Sequence, residues 1–401
     1  MSVNNVNLGF PIKMYQEGET RFFAPDMEIF EPTEAPVFYN PEMELSRDIS
    51  VLALQAYKDM LNREMSVCEP LSGCGIRGLR YAKEVNGTVK VVINDKNPIA
   101  AKLMALNVKL NNLEDKVQVF NREACALMLE LAEKSTRFEV VDIDPFGSPS
   151  PFLDSAFKVI KSRTGMLCLT ATDMAPLCGV HKNACIRKYG SVPLRVEYCH
   201  ELAVRILISY VVREAAKYEI GVEPLFAYYY RHHVRVFLKL SEGAGRADKS
   251  IRNLGYVLHC RDCNHREVVE EVVPSKIDKC VECGSQKVEI GGPIWTKNII
   301  SKDFCSKMMD VFGSKHLGKG KRVEKMLRLA ILEANAPPFY HIIPLLSKQA
   351  GVTIPPKKML IEHLRSLGYI AVETHFNPNA IKTNANRGEL VKIIKELTKG
   401  A

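Results

Sequence analysis

The chain has 401 residues, too long for one ordinary domain, so two or three domains are expected. It is 46% apolar and 25% charged, the balance of a globular protein, and the lack of any uncharged apolar run of about 18 residues excludes a helical membrane span. The net charge of +9 is unevenly placed: residues 1–240 carry none of it and residues 241–401 carry all of it, which suits a polyanionic partner held by the C-terminal part. Met1 to Thr20 lacks the basic-then-apolar layout of a secretory signal, so a cytoplasmic location is expected. The 12 cysteines should then be reduced, with any clustered ones binding metal rather than forming disulfides.

The first 45 residues read as a loop rich in Pro and acidic residues. A helix pattern follows from about Ser46, a plausible N-cap, to Asn62. Strand-like runs then sit at Met65–Glu69, Lys90–Asn94, Val117–Asn121, Glu139–Ile143 and Met166–Thr170, with helical stretches such as Ile99–Leu110 between them. This alternation predicts a parallel sheet with helices on both faces, an α/β domain. A long helical stretch, Arg195–Glu219, precedes Leu225–Tyr230 and Val234–Leu240, close enough to pair antiparallel and close the sheet. Ser241–Ser250 reads as a linker. After a cysteine-rich segment, Val323–Asn335, Phe339–Gln349 and Pro356–Leu367 read as short helices, followed by Tyr369–His375 and a Lys/Arg/Asn-rich stretch. Three helices and a strand pair suit a winged-helix-like module. The expected domains are 1–242, 243–299 and 300–401.

Two strand ends carry the chemistry. Met65–Glu69 leads into Gly73-Cys-Gly75-Ile-Arg77-Gly78, a G-x-G-x-x-G spacing that lets the backbone approach a ligand at a helix N-terminus. Asp95 ends the next strand, where a carboxylate can take both ribose hydroxyls, and Glu123-Ala124 follow the third, where an adenine edge would lie. These features fit a dinucleotide as well as S-adenosylmethionine. The fourth strand separates them. It ends in Asp142-Ile-Asp144-Pro145-Phe146-Gly147-Ser148-Pro149, placing an acid, a rigid carbonyl and an aromatic ring where ligands bind in this fold class. The amino group of a nucleic-acid base is a poor nucleophile, because its lone pair is delocalised into the ring. A carboxylate and a fixed carbonyl that accept its two hydrogens would aim that lone pair at a methyl sulfonium. Phe146 offers a stacking face, worth about 1–3 kcal/mol per base. Hydride transfer has no use for this set. Asp-Pro-Phe resembles the Asp/Asn-Pro-Pro-Tyr/Phe tetrads of amino-group methyltransferases.

Phe38-Tyr-Asn-Pro41, Arg47-Asp48, Ser72-Gly-Cys-Gly-Ile-Arg77-Gly, Asp144-Pro-Phe-Gly-Ser-Pro149, Thr170-Ala-Thr-Asp173 and Arg187-Lys-Tyr-Gly190 together resemble the tRNA (guanine-N2)-dimethyltransferase family acting at tRNA position 26. The resemblance spans nearly the whole chain. It implies a class I, Rossmann-like methyltransferase domain and a smaller tRNA-contacting C-terminal domain of α+β type. It also implies that Arg47, Arg77, Asp95, Glu123 and Ala124 contact S-adenosylmethionine beside Gly73 and Gly75, that Asp144 holds the guanine amine, and that Phe38 and Phe146 hold the base. Dimethylation follows from the resemblance; the residues alone imply only methylation. On residues alone, an amino-group methyltransferase for rRNA or DNA, or a non-catalytic zinc-containing RNA-binding protein, stays open.

Cys260-x-x-Cys263 and Cys280-x-x-Cys283 form two knuckles separated by sixteen residues, the spacing of a structural, zinc-ribbon-like site. Lys315-His316-Leu-Gly-Lys319-Gly-Lys321-Arg322 and the residues up to Arg328 concentrate positive charge in a loop and helix start, an expected phosphate contact.

Overall fold

Strands rich in Val, Ile, Leu and Met, with no polar alternation, must be covered on both faces. The computed structural model describes residues 8–270 and 279–399; the first seven residues of the expected loop and part of the span between the two knuckles lie outside these. The chain opens with an antiparallel hairpin, β1 (Ile12–Glu17) and β2 (Thr20–Pro25). Then come α1 (Glu44–Leu61), β3 (Met65–Glu69), α2 (Ile76–Glu84), β4 (Thr88–Asn94), α3 (Pro98–Leu110), β5 (Val117–Phe120), α4 (Ala124–Glu133), β6 (Val140–Ile143), α5 (Leu153–Val159) and β7 (Met166–Ala171). β3 pairs with β4 and β6, β4 with β5, and β6 with β7, all in parallel. α6 (Met174–Leu177), α7 (Lys182–Tyr189) and α8 (Cys199–Ala216) lead to the antiparallel hairpin β8 (Ile220–Tyr230) and β9 (His233–Glu242). The strand order β5-β4-β3-β6-β7-β9-β8 makes a seven-stranded mixed sheet. The expected α/β class and its closing antiparallel pair are both present.

α9 (Ala244–Arg252) precedes β10 (Leu254–Cys260), β11 (Arg266–Val269) and β12 (Val288–Trp295), an antiparallel sheet in the order β11-β10-β12. The remainder is α10 (Lys302–Phe312), α11 (Gly320–Glu333), β13 (His341–Ile342), α12 (Ile343–Ala350), α13 (Lys357–Ser366), β14 (Ala371–Glu373), β15 (Ala380–Thr383) and α14 (Arg387–Lys399). The chain forms two compact units. The first runs to Pro145 and adds Pro151–Leu169 and Ser306–Leu327; the second holds Phe146–Ser150, Thr170–Cys305 and the residues from Arg328 on. Ser306–Leu327 therefore belongs with the glycine-turn unit, while the cysteine knuckles share a unit with α8.

Three local expectations differ from the structure. The N-terminal loop contains the β1–β2 hairpin, because Phe22, Phe23 and Ala24 bury against Tyr39, Ile76 and Leu103. Ser46 does not cap α1. Asn40 caps the turn ahead of the helix by accepting from the Glu42 N–H, with Pro41 at its first position, and Ser46 is buried inside the helix. The expected linker contains α9, whose Ala247 and Ser250 are buried; the Ser250 hydroxyl accepts from the Val222 N–H at 2.9 Å.

In the second unit, buried acids bind the C-terminal elements to α8. Glu201 accepts from Arg205 at 2.8 Å and Lys382 at 3.1 Å, and Lys382 also reaches Glu333 at 3.2 Å. His375 pairs with Glu333 as well. Burial pushes the Glu333 carboxyl up, but His375 and Lys382 outweigh it and lower it from 4.5 to about 2. Because the folded value lies below the unfolded one, this carboxylate contributes stability that is present above 4.5 and is lost as pH falls toward about 2. Urea unfolding of Glu333→Gln should therefore show a flatter dependence on pH between about 5 and about 3 than the parent protein shows. An identical acid limb in both would contradict this role.

Candidate active site and metal centre

β3 delivers the chain to a turn that only glycine can make at this spacing. A Cβ on Gly78 would lie 2.3 Å from Ile93 Cγ2, so glycine here lets α2 sit close on β4. A Cβ on Gly73 would lie 2.8 Å from the Phe38 carbonyl oxygen, where the N-terminal segment crosses the turn. Gly75, at φ +83°, stands at the N-cap of α2. Asp95, just past β4, accepts from the Gly73 N–H at 3.0 Å and the Asn97 N–H at 2.9 Å, so the carboxylate is set at the lip of the turn. Glu123 caps α4, accepting from the Ala126 N–H at 2.8 Å, and Ala124 is buried behind it.

Asn94, the last residue of β4, was not singled out from sequence. Its amide donates to the carbonyls of Pro70 (2.9 Å) and Arg122 (3.0 Å) and accepts from the Arg122 N–H (2.9 Å). It ties together the loops that follow β3 and β5, at the strand ends where a nucleoside would lie. An asparagine closing the apolar run of Val91, Val92 and Ile93 was the available signal.

Phe38, Arg47, Gly73, Arg77 and Asp144 line one cleft of about 50 Å3, together with Tyr39, Asn40, Glu69 and Ser72. The cleft is held by charge. Arg77, 4% exposed, pairs with Asp144 and lies 3.7 Å from Glu69, and it donates to Ser50 Oγ at 2.9 Å. Arg47 makes a two-pronged pair with Glu17, both bonds 2.6 Å, and donates to the Asn40 carbonyl at 3.0 Å. Arg80 joins the same network through Asp48 (2.8 Å) and Glu84 (3.0 Å). Burial pushes the Glu69 carboxyl up to about 8; Arg77 opposes the rise, and Asp142 and Asp144 add to it. Both arginines expected to touch a cofactor line the cleft, and their guanidinium groups are already engaged with carboxylates.

Asp144 immediately follows β6 and its side chain is 19% exposed, the least sheltered acid of this network. Pro145 follows, then Phe146, a large apolar side chain that is 71% exposed. In the second unit, Gly147 and Thr172 exchange hydrogen bonds, with the Gly147 N–H donating to Thr172 Oγ1 at 2.7 Å. The neighbouring Asp173 accepts from Tyr189 Oη at 2.6 Å and Lys188 Nζ at 3.0 Å. The motifs Thr170–Asp173 and Arg187–Gly190 thus meet in one hydrogen-bonded cluster.

The four knuckle cysteines converge. The Sγ atoms of Cys260 and Cys283 are 3.6 Å apart, and those of Cys263 and Cys280 are 3.7 Å apart. Thiolates about 2.3 Å from a tetrahedral zinc lie about 3.8 Å from one another, so the cluster has the size such an ion requires.

The basic segment is partly consumed by the first unit. Lys315 Nζ donates to Gln55 at 2.9 Å and to the Glu84 carbonyl, Lys319 pairs with Glu44 at 3.0 Å, and His316 lies 3.1 Å from Glu19. Lys321 and Lys325 point outward and are exposed.

An α/β sheet with a glycine turn, a carboxylate after its second strand and an Asp-Pro-Phe at the end of its fourth defines a nucleoside-cofactor enzyme acting on an amine. Comparison with known proteins narrows this. The profile of the N2,N2-dimethylguanosine tRNA methyltransferase family matches residues 18–395. A tRNA (guanine(26)-N(2))-dimethyltransferase of Methanobrevibacter smithii is 39% identical over 97% of this chain and 98% of its own length. That of Methanosarcina mazei is 40% identical over 95% of this chain and 98% of its own. The structure of Trm1 from Pyrococcus horikoshii in complex with S-adenosyl-L-methionine superposes with a TM-score of 0.84, at 34% identity, over 96% of this chain and all of that one. The chain belongs to the N2,N2-dimethylguanosine tRNA methyltransferase family.

Removing Arg77 would leave the buried Glu69 and the partly exposed Asp144 without their shared counter-charge. Arg77→Met should cost about 3–5 kcal/mol in urea unfolding, the range for breaking a buried pair from one side. A variant as stable as the parent would show that the pairing is not what holds the cleft.

Proposed function

We propose that this chain transfers methyl groups from S-adenosylmethionine to the N2 amine of guanine 26 in tRNA, forming the dimethylated base. The observation that carries the reading is Asp144, set at the end of β6 in the same cleft as the glycine turn. The cofactor fits the residues present. Asp95 is placed for a ribose, the Gly73–Gly75 turn brings backbone to the ligand, and Glu123-Ala124 stand where an adenine edge would lie. When bound, S-adenosylmethionine supplies an electrophilic methyl carbon next to a positive sulfur.

The chain's own residues do the rest. Guanine must leave its stack for the amine to reach the cleft. Phe146 and Phe38 each offer a ring for the extruded base. Asp144 and the Pro145 carbonyl accept the two amine hydrogens, which turns the nitrogen lone pair away from the ring and toward the donor. Arg77 fixes the orientation of Asp144, so the acceptor is in position before the base arrives. Each transfer releases one amine proton, to Asp144 or to water. The single hydrogen left after the first transfer engages one of the two acceptors in the second round, and the methyl already added takes the place of the other hydrogen.

Zinc bound by Cys260, Cys263, Cys280 and Cys283 would cross-link the ends of the β10–β12 segment and take no part in methyl transfer. The elements β13, α12, α13, β14 and β15, with strand order β13-β15-β14, support a winged-helix-like reading of the C-terminal module. We assign tRNA contact to the basic half, including exposed Lys321 and Lys325. A tRNA substrate is consistent with a cytoplasmic location; no described helix is long and apolar enough to cross a membrane.

Asp144→Asn should bind S-adenosylmethionine about as the parent does while kcat falls by about 100- to 1,000-fold, the usual cost of one lost transition-state contact. Calorimetry and a tRNA methylation assay on the same preparation separate the two; unchanged turnover would exclude Asp144 as the amine holder. Chelation of the metal should release one zinc per cysteine tetrad and increase amide exchange in β10 and β12. Exchange that stays unchanged after zinc release would contradict the structural role.

A further inference from the structure

A second group of soft donors lies in the second unit, far along the sequence from the knuckles. Cys178, Cys199 and His200 each offer one ligand atom, and these atoms all lie within 4.8 Å of one another. Two rigid elements bring them together. Cys178 is the C-cap of α6, its N–H bonded to the Met174 carbonyl at 2.8 Å. Cys199 and His200 are the first residues of α8. Gly179, at φ +85°, makes the approach possible: a Cβ there would lie 2.8 Å from the backbone of Leu194 and Arg195, just ahead of Cys199. Cys178 Sγ already reaches the Cys199 carbonyl at 3.8 Å. The His200 ring is held by stacking on Tyr229, centroids 3.7 Å apart and planes 8° from parallel.

We propose that Cys178, Cys199 and His200 form a second metal site, taking a thiophilic divalent ion of the zinc class and leaving its fourth position to an exchangeable ligand. Two thiolates and one imidazole are the donors such an ion selects over harder cations. Three protein ligands plus one open position distinguish this site from the closed four-thiolate centre. Donors within 4.8 Å of one another lie within about 1 Å of the about 3.8 Å edge of a zinc tetrahedron. The three donors are half-buried, so an ion can reach them.

The test is cobalt(II) titration of the reduced full-length protein, read by the thiolate charge-transfer band and by bound metal per chain. The parent should bind one equivalent more than Cys178→Ser/Cys199→Ser, and His200→Asn should weaken that extra equivalent. The same uptake by parent and double variant would overturn the proposal. So would a Cys178–Cys199 disulfide in the native protein that, once reduced, takes up no extra metal. If the double variant fails to fold, alkylation of the parent decides. Cys178 and Cys199 should be protected by the additional equivalent of zinc and exposed again by chelator, and labelling that metal does not change would overturn the site.

Discussion

The first unit depends on one guanidinium. Arg77 enters from the first turn of α2 and meets Asp144 beyond β6 and Glu69 at the end of β3, with Ser50 of α1 accepting a further hydrogen bond. Four pieces of the fold, α1, β3, α2 and the end of β6, are therefore registered by one buried cation. Such pairs contribute little net stability compared with apolar packing, because desolvation offsets their attraction. What they do supply is position: a carboxylate paired with a fixed guanidinium cannot swing freely. For an enzyme that must hold a weak nucleophile within a fraction of an ångström of its target, position is the relevant quantity.

The surrounding charges extend this constraint outward. Arg47 ties Glu17 of the N-terminal hairpin to the Asn40 carbonyl, and Arg80 ties Asp48 of α1 to Glu84 of α2. The Lys319 N–H then caps Asp48, and its ammonium pairs with Glu44. Residues that are basic in sequence and read as an RNA surface thus include some that join the C-terminal part of the chain to the glycine-turn unit. The positive charge left for a polyanion is smaller than the count suggests and includes the exposed Lys321 and Lys325 of α11.

Much of the fold was legible because its signals are local and repetitive. The strand runs and the helices between them need cover on both faces, and the parallel sheet buries Val91, Val92, Val140 and Val141 together. The cysteine spacing and the Asp-Pro-Phe segment were legible for a similar reason: few chemistries want those residues so placed. What was missed depends on distant partners. Ser46 looks like a helix cap, but α1 already begins at Glu44 and a buried arginine lies beside Ser46. Asn94 reads as a strand end, and its link between two loops appears only once β3, β4 and β5 lie side by side. The α9 helix was hidden by Gly and charge in a stretch whose few buried residues set it. Arg47 and Arg77 were recognised as important from the family resemblance, yet their pairing with acids was not readable, because nothing local links Arg77 to Asp144.

The most direct test of the account is methyl transfer to one defined base. Unmodified tRNA transcript, labelled S-adenosylmethionine and the purified protein should give labelled N2-methyl- and then N2,N2-dimethylguanosine after nuclease digestion, and a transcript with adenine at position 26 should give neither. Label in an adenosine derivative, or equal labelling of the transcript lacking guanine 26, would contradict it.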